Sequence, residues 1–324
     1  MNFADVLTDF VDDACDRRVT PVVRRVTAPI RVAVRGRDGV GRGTVAAALA
    51  GAGVAVTTDP AAADVGVVVI AEVLKPEDRA LLDGFSGPAV VVLNKADTTG
   101  SGTGGPVVVA HRRAAGYRAV TGVPTVPMIA LLADVALDDE LIGALRTLRN
   151  APADLSSADA FVAGPHPVSA PVRQRLIATL DRFGIAHAVL ALDGGVAAGA
   201  LSGHMRRLSG LDRVVEQVDA AAAPLHYRRI RTAVIELRAL ATQSGDDRLT
   251  AFLRTDTTVL AVMTAAVHVV EAAGVRVDRG DDAAAHLRRA VHWRRYGRGP
   301  VGPLHRACAA DITRGSLRLL ERDR

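Results

Sequence analysis

The chain is poor in several residue types, and each scarcity excludes something. Only two of its 324 residues are cysteines, Cys15 and Cys308, almost a chain length apart. That rules out a disulfide framework and a cysteine-based zinc site and points to a reducing compartment. Aromatic residues make up 3% of the sequence, too few to build the stacking platforms on which single-stranded nucleic acid is read. Of 40 basic residues, only Lys75 and Lys95 are lysines. No apolar run reaches the ~18 residues of a membrane-spanning helix. The N-terminus carries Asp5, Asp9, Asp12 and Asp13 where a secretory leader needs a basic start. A soluble cytoplasmic protein is expected.

What is present is enough to bury cores. Hydrophobic residues are 49% and charged residues 23%, an ordinary globular balance, and the length suits two domains of about 150 residues each. The net charge of +5 is uneven: residues 1–150 carry 16 basic and 17 acidic residues, whereas residues 276–324 carry 12 arginines against 6 acids. The nine histidines show no metal-ligand spacing and no Gly-x-Ser-x-Gly occurs, so neither a metal site nor a catalytic nucleophile is expected.

Apolar periodicity predicts a helix over residues 1–18, closed by Pro21. A strand at 31–35 then leads through a glycine loop into an Ala-rich helix and a second strand at 54–59. The continuous apolar runs at 65–70 and 89–93 read as strands covered on both faces. Further strands are predicted at 107–110 and 125–130, with helices at 76–85, 112–121 and 138–148. This alternation specifies a doubly wound, mostly parallel α/β domain over residues 29–150. Residues 151–168, rich in Pro, Ala, Asp and Ser, read as a linker, and residues 169–324 as an all-α helical bundle.

Two motifs carry chemistry. Asn94-Lys95-Ala96-Asp97 directly follows the apolar strand at 89–93, where guanine-nucleotide proteins place Asn-Lys-x-Asp. There the Asp carboxylate accepts from guanine N1 and the exocyclic amine, the Lys stem lies along the base, and the Asn ties the base-binding loop to the phosphate loop. Adenine lacks that donor pair, which would supply discrimination of roughly 10⁴. The second motif, Gly36-Arg37-Asp38-Gly39-Val40-Gly41, has the form of a phosphate loop opening a helix. Its continuation departs from the pattern. Arg42 stands in place of the phosphate-contacting Lys, Gly43 in place of the magnesium-ligating Ser or Thr, and Thr44 comes one residue late. Plainer readings stand beside both, a polar turn with a solvated Lys and a glycine turn packing a helix on a strand. A dinucleotide fold is a further reading, with Asp59 placed for a ribose hydroxyl, although Asp38 would then occupy the middle glycine position.

Together these residues resemble the Era-like and dynamin-like GTPases of the translation-factor branch of P-loop GTPases. The segments at 63–97 and Pro127-Met128-Ile129-Ala130-Leu131 are similar to their base-binding strand and Ser-Ala-Leu segment, with Ile129 where Ser is usual. The helical part is more loosely similar to actinobacterial dynamin-like proteins. The resemblance implies a P-loop G domain with GDP or GTP contacted by Gly36, Asp38, Gly39, Gly41, Arg42, Gly43, Thr44, Asn94, Lys95, Asp97, Ala130 and Leu131. It also implies that residues 1–28 pack on the C-terminal helices, bringing Cys15 towards Cys308, and that the chain partners itself or a related intact GTPase.

Only about 20 residues separate Thr44 from Asp64, so both nucleotide-sensing switch loops are missing or truncated, with Asp59-Pro60-Ala61-Ala62 as the sole remnant. Phosphoryl transfer relies on Lys, magnesium and a water-orienting group, each typically a factor of about 10² to 10³ in rate. Negligible hydrolysis, weak or absent nucleotide binding and no firm place for magnesium are expected, which describes a pseudo-GTPase with a regulatory or structural role. The alternatives are a nucleotide-free adaptor or membrane-associated scaffold, and a dinucleotide-binding protein. The Arg-rich residues 276–324, with Trp293 and Tyr296, suit an acidic membrane surface at the inner membrane face, whereas nucleic acid is disfavoured.

Overall fold

The computed structural model describes residues 2–14, 18–100 and 102–323. The chain opens with α1 (Phe3–Ala14) and α2 (Thr20–Thr27). Next come β1 (Arg31–Gly36), α3 (Arg42–Gly51), β2 (Ala55–Thr57), β3 (Val65–Ala71), α4 (Pro76–Asp83), β4 (Ala89–Asn94), α5 (Gly105–Thr121) and β5 (Thr125–Pro127). Only helices follow: α6 (Asp139–Asn150), α7 (Ala158–Ala163), α8 (Ala170–Asp193), α9 (Leu201–Ser209) and α10 (Leu211–Ser244). The last four are α11 (Asp247–Phe252), α12 (Asp256–Ala272), α13 (Ala283–Arg298) and α14 (Pro303–Arg322).

The chain divides into two compact units. One comprises Ile30–Val218, the other Met1–Pro29 with Asp219–Arg324. In the first, five parallel strands run in the order β2-β1-β3-β4-β5. Val65, Val67, Val68, Val69 and Ile70 of β3 and Val90, Val91, Val92 and Leu93 of β4 are all fully buried, which is why both strands read as unbroken apolar runs. The β1–β2 connection moves one way across the sheet and the β3–β4–β5 connections the other. Right-handed crossovers therefore set α3 on the face opposite α4 and α5. The direction reverses between β1 and β3, and in such sheets the crevice at the carboxyl ends of those strands is where ligands bind.

Several expectations need correction. Residues 107–110 lie inside α5: Gly104 precedes it and Pro106 sits in its first turn, so a short apolar run was helix rather than strand. Pro21 likewise opens α2 instead of closing the helix before it. Residues 151–168 are not a free linker. Phe161 of α7 is fully buried among Leu145 and Leu148 of α6 and Leu176 and Leu180 of α8, in the same core as Val68 and Val91 of the sheet. The α/β unit thus extends to Val218, well past the expected boundary at residue 150.

In the second unit, Phe3, Val6 and Leu7 of α1 bury against Leu237, Leu249 and Ala261, and Phe10 stacks on Phe252 at 4.2 Å. A second cluster joins Tyr227, Val267 and Val270 to Trp293, Cys308 and Ile312. α14 crosses α12 closely because Gly315 has no side chain to meet Met263. Cys15, expected near Cys308, lies outside the described residues. Among the described residues no helix is long and apolar enough to cross a membrane.

Candidate functional site

The glycine loop links β1 to α3 at the point where the strand order reverses. Gly36 passes so close to β3 that a Cβ there would lie 2.7 Å from the Val69 carbonyl oxygen. Val40 is buried and anchors the loop, while Gly39 and Gly41 take φ of +80° and +82°, conformations that favour glycine. Gly41 is the N-cap of α3 and offers no side chain to the first-turn N–H groups. These donors are free for an anion. Gly43 and Thr44 stand exposed on that first turn, and a Cβ on Gly43 would meet only open space. The Arg42 guanidinium turns back over the loop, with Nη1 donating to the Gly36 carbonyl at 3.3 Å and Nη2 lying 3.8 Å from the exposed Asp38 carboxylate.

Arg37 fixes the loop from the other side. Its Nε and Nη2 donate to Oδ1 and Oδ2 of Asp78 at 2.8 and 3.2 Å, and Asp78 also accepts from the Lys75 backbone N–H at 2.9 Å. Asp78 is wholly inaccessible to solvent. A loop residue is therefore tied to the first turn of α4 across the β1/β3 crevice.

Asn94, at the end of β4, joins this loop to a second one. Its side chain is buried; Nδ2 donates to the Val40 carbonyl at 2.9 Å and Oδ1 accepts from Ala130 N–H at 3.0 Å. The Ala96 N–H donates to the Met128 carbonyl at 3.1 Å, so the turn after β4 and the 128–131 segment after β5 are sewn together. Lys95 is exposed in a left-handed conformation with φ of +56°, a cost of order 1 kcal/mol or more for a non-glycine residue. Asp97 is half-buried. Burial raises its pKa, its own backbone N–H opposes that, and the charge of Asp181 adds to the rise. Ala130 is buried, whereas Leu131 stands exposed beside it.

Asp181 is the residue that sequence reasoning missed. It interrupts α8 with φ of +53° and ψ of 176°, a region populated almost only by glycine, and its Oδ1 accepts from the next backbone N–H at 2.6 Å. Nothing in the apolar spacing of residues 172–183 signals this break.

The structure thus brings together the glycine loop, Asn94 and Ala130, with Lys95 and Asp97 on the adjoining turn. It gives Asp59 a different task, since its Oδ1 accepts from Ala61 N–H at 2.9 Å and caps a short 3₁₀ turn on the surface. Cys308 is buried, and burial pushes its thiol up to about 11, unsuited to nucleophilic work. Among the described residues, no group of three His, Cys, Asp or Glu side chains is placed to hold a metal ion. Trp293, expected at a membrane surface, is in the helical core, and Tyr296 donates or accepts with His305 at 2.7 Å. Arg289 is buried too, giving its guanidinium to Ser316 and to the carbonyls of Asp278 and Gly280.

The contact between Gly41 and Asn94 yields a sharp expectation. A Cβ on Gly41 would run into Asn94 Nδ2, whereas one on Gly39 would meet nothing. Gly39→Ala should cost only the strain of a positive φ, about 1 kcal/mol. Gly41→Ala should cost about 2–3 kcal/mol by adding the loss of a buried hydrogen bond. Urea unfolding of both variants checks the difference, and equal losses would mean that Asn94 does not clasp the loop.

Compared with protein-family models, curated proteins and solved structures, the chain finds no match.

Proposed function

We propose that the α/β unit is a degenerate P-loop G domain that binds a guanine nucleotide without hydrolysing it. The observation that carries this reading is the pair of hydrogen bonds made by the Asn94 side chain, which donates to the Val40 carbonyl of the glycine loop and accepts from the Ala130 N–H of the loop beside Asp97. It is the tie that the Asn-Lys-x-Asp resemblance requires between phosphate and base loops. The uncapped first turn of α3 supplies donors for phosphate oxygens. Asp97, half-buried and carrying a raised pKa, supplies an acceptor pair that gains most from a guanine edge.

Catalysis is a separate matter. With Arg42 and Gly43 in place of Lys and a hydroxyl residue, neither compact charge compensation nor magnesium ligation is provided. The protein would then act through its nucleotide-bound shape, as a regulatory or structural partner of itself or of a related intact GTPase. A nucleotide-free adaptor is the second reading. One observation favours it: the Arg42 guanidinium is turned onto Gly36 and Asp38 within the loop.

Calorimetric titration separates the two. GDP and GTP are expected to bind with similar affinity whether or not magnesium is present, ADP to bind at least 100-fold more weakly, and bound GTP to remain intact under single-turnover conditions. Silence with all three nucleotides would leave the adaptor. Equal affinity for ADP and GDP would remove the guanine assignment.

A further inference from the structure

The helical unit holds a cavity of about 100 Å³ between α10, α12 and α14. Its charged rim is made by Arg231 and Arg238 of α10 and by Arg314 and Asp311 of α14, and Val259 and Val262 of α12 form part of its apolar wall. Arginines elsewhere in the chain are commonly matched: Arg175 by Asp138 and Glu140, Arg206 by Asp212, Arg279 by Glu271. Here they are not. Among the described residues, none of Arg231, Arg238 and Arg314 has a carboxylate oxygen within 4 Å of its guanidinium. Asp311 is engaged inward, accepting from the hydroxyl of the fully buried Tyr227 at 2.6 Å. The Arg231 guanidinium lies over the face of Tyr227, 6.0 Å from the ring centre.

We infer that this cavity is a binding site for a phosphate monoester bearing a short apolar arm. Three guanidinium groups against one carboxylate leave two positive charges, the complement of a phosphate dianion. Guanidinium is the side chain best shaped for two parallel hydrogen bonds to phosphate oxygens. The valine wall takes the apolar arm, and the volume admits a small group of a few heavy atoms beyond the headgroup. The Arg314 pKa is lowered by partial burial and by the charge of Arg238, with Asp311 opposing and Arg318 adding to the fall. Like charges are thus gathered where an anion would relieve them. The same chemistry is offered by a soluble phosphate ester and by the headgroup of an acidic phospholipid.

The test uses the full chain, titrated calorimetrically with hexyl phosphate, inorganic phosphate and hexanol. Hexyl phosphate is expected to bind saturably and more tightly than inorganic phosphate, with hexanol silent. Arg314→Gln and Arg238→Gln should each weaken it roughly tenfold or more, while Arg294→Gln, on α13 outside the cavity, leaves it unchanged. Both cavity variants remove exposed, unpaired guanidinium groups and should melt as the wild type does, so lost binding is not lost folding. Vesicles of phosphatidylcholine with and without phosphatidate then identify the source. Retention on phosphatidate vesicles that disappears in Arg238→Gln supports a lipid headgroup, and hexyl phosphate binding without retention supports a soluble ester. No saturable binding of hexyl phosphate, or binding indifferent to both cavity variants, overturns the inference.

Discussion

Replacing Arg37 by Met is expected to lower the unfolding free energy by about 3 kcal/mol, because it strands a carboxylate that has no access to water. Asp78 is fully enclosed and accepts from two of the three guanidinium nitrogens of Arg37, Nε and Nη2, leaving one backbone N–H from Lys75 as its other partner. Arg37 is itself about one quarter exposed, which keeps the loss towards the lower end for a broken buried pair. The double variant Arg37→Met with Asp78→Asn should recover most of the loss, since the buried charge goes with its partner. Urea unfolding followed by far-UV circular dichroism reads both. A single variant within 0.5 kcal/mol of wild type would mean that the ion pair does not hold the loop to α4.

Phe161→Ala is expected to cost more, about 3–5 kcal/mol. The ring is fully buried in the core that contains the sheet. Arg173 of α8, itself buried, donates to the Phe161 and Gly164 carbonyls and lies 6.0 Å from the ring centre. If residues 151–168 were an exposed linker, the same substitution would stay within about 0.5 kcal/mol. The midpoint of urea unfolding therefore decides between a linker and an integral part of the α/β unit.

The parallel sheet was legible because both faces of β3 and β4 are covered, so burial imposed continuous Val runs on the sequence. The glycine loop and the turn at 94–97 were legible as well, since each motif stands directly after a strand. The ties between them were not. Asn94 to Val40, Asn94 to Ala130 and Arg37 to Asp78 join residues 54, 36 and 41 positions apart, and local periodicity carries no information at that range. Composition misled at residues 151–168, where Pro, Ala and Ser suggested a tether but the Phe161 ring and two arginines of α8, Arg173 and Arg182, dock the segment. The break at Asp181 was invisible because a strained backbone is dictated by packing, not by the residue's own preference. The end of the α/β unit was misplaced for a similar reason: the apolar stripe of α8 reads the same whether it faces other helices or the rim of a sheet.

Asp97 carries the central claim. A carboxylate whose folded pKa is raised binds its proton more tightly in the folded chain than in the unfolded one. Its ionised form therefore lowers stability as pH rises from the ordinary carboxylate range through the raised value, and fully so above it. Guanine recognition, in contrast, needs that ionised form. The most direct measurement is GDP affinity and melting temperature at pH 7 in the wild type and in Asp97→Ala. The account predicts opposite movements, a chain that melts higher and has lost its GDP binding. A wild type that does not bind GDP, or an Asp97→Ala variant that binds it equally well, would contradict it.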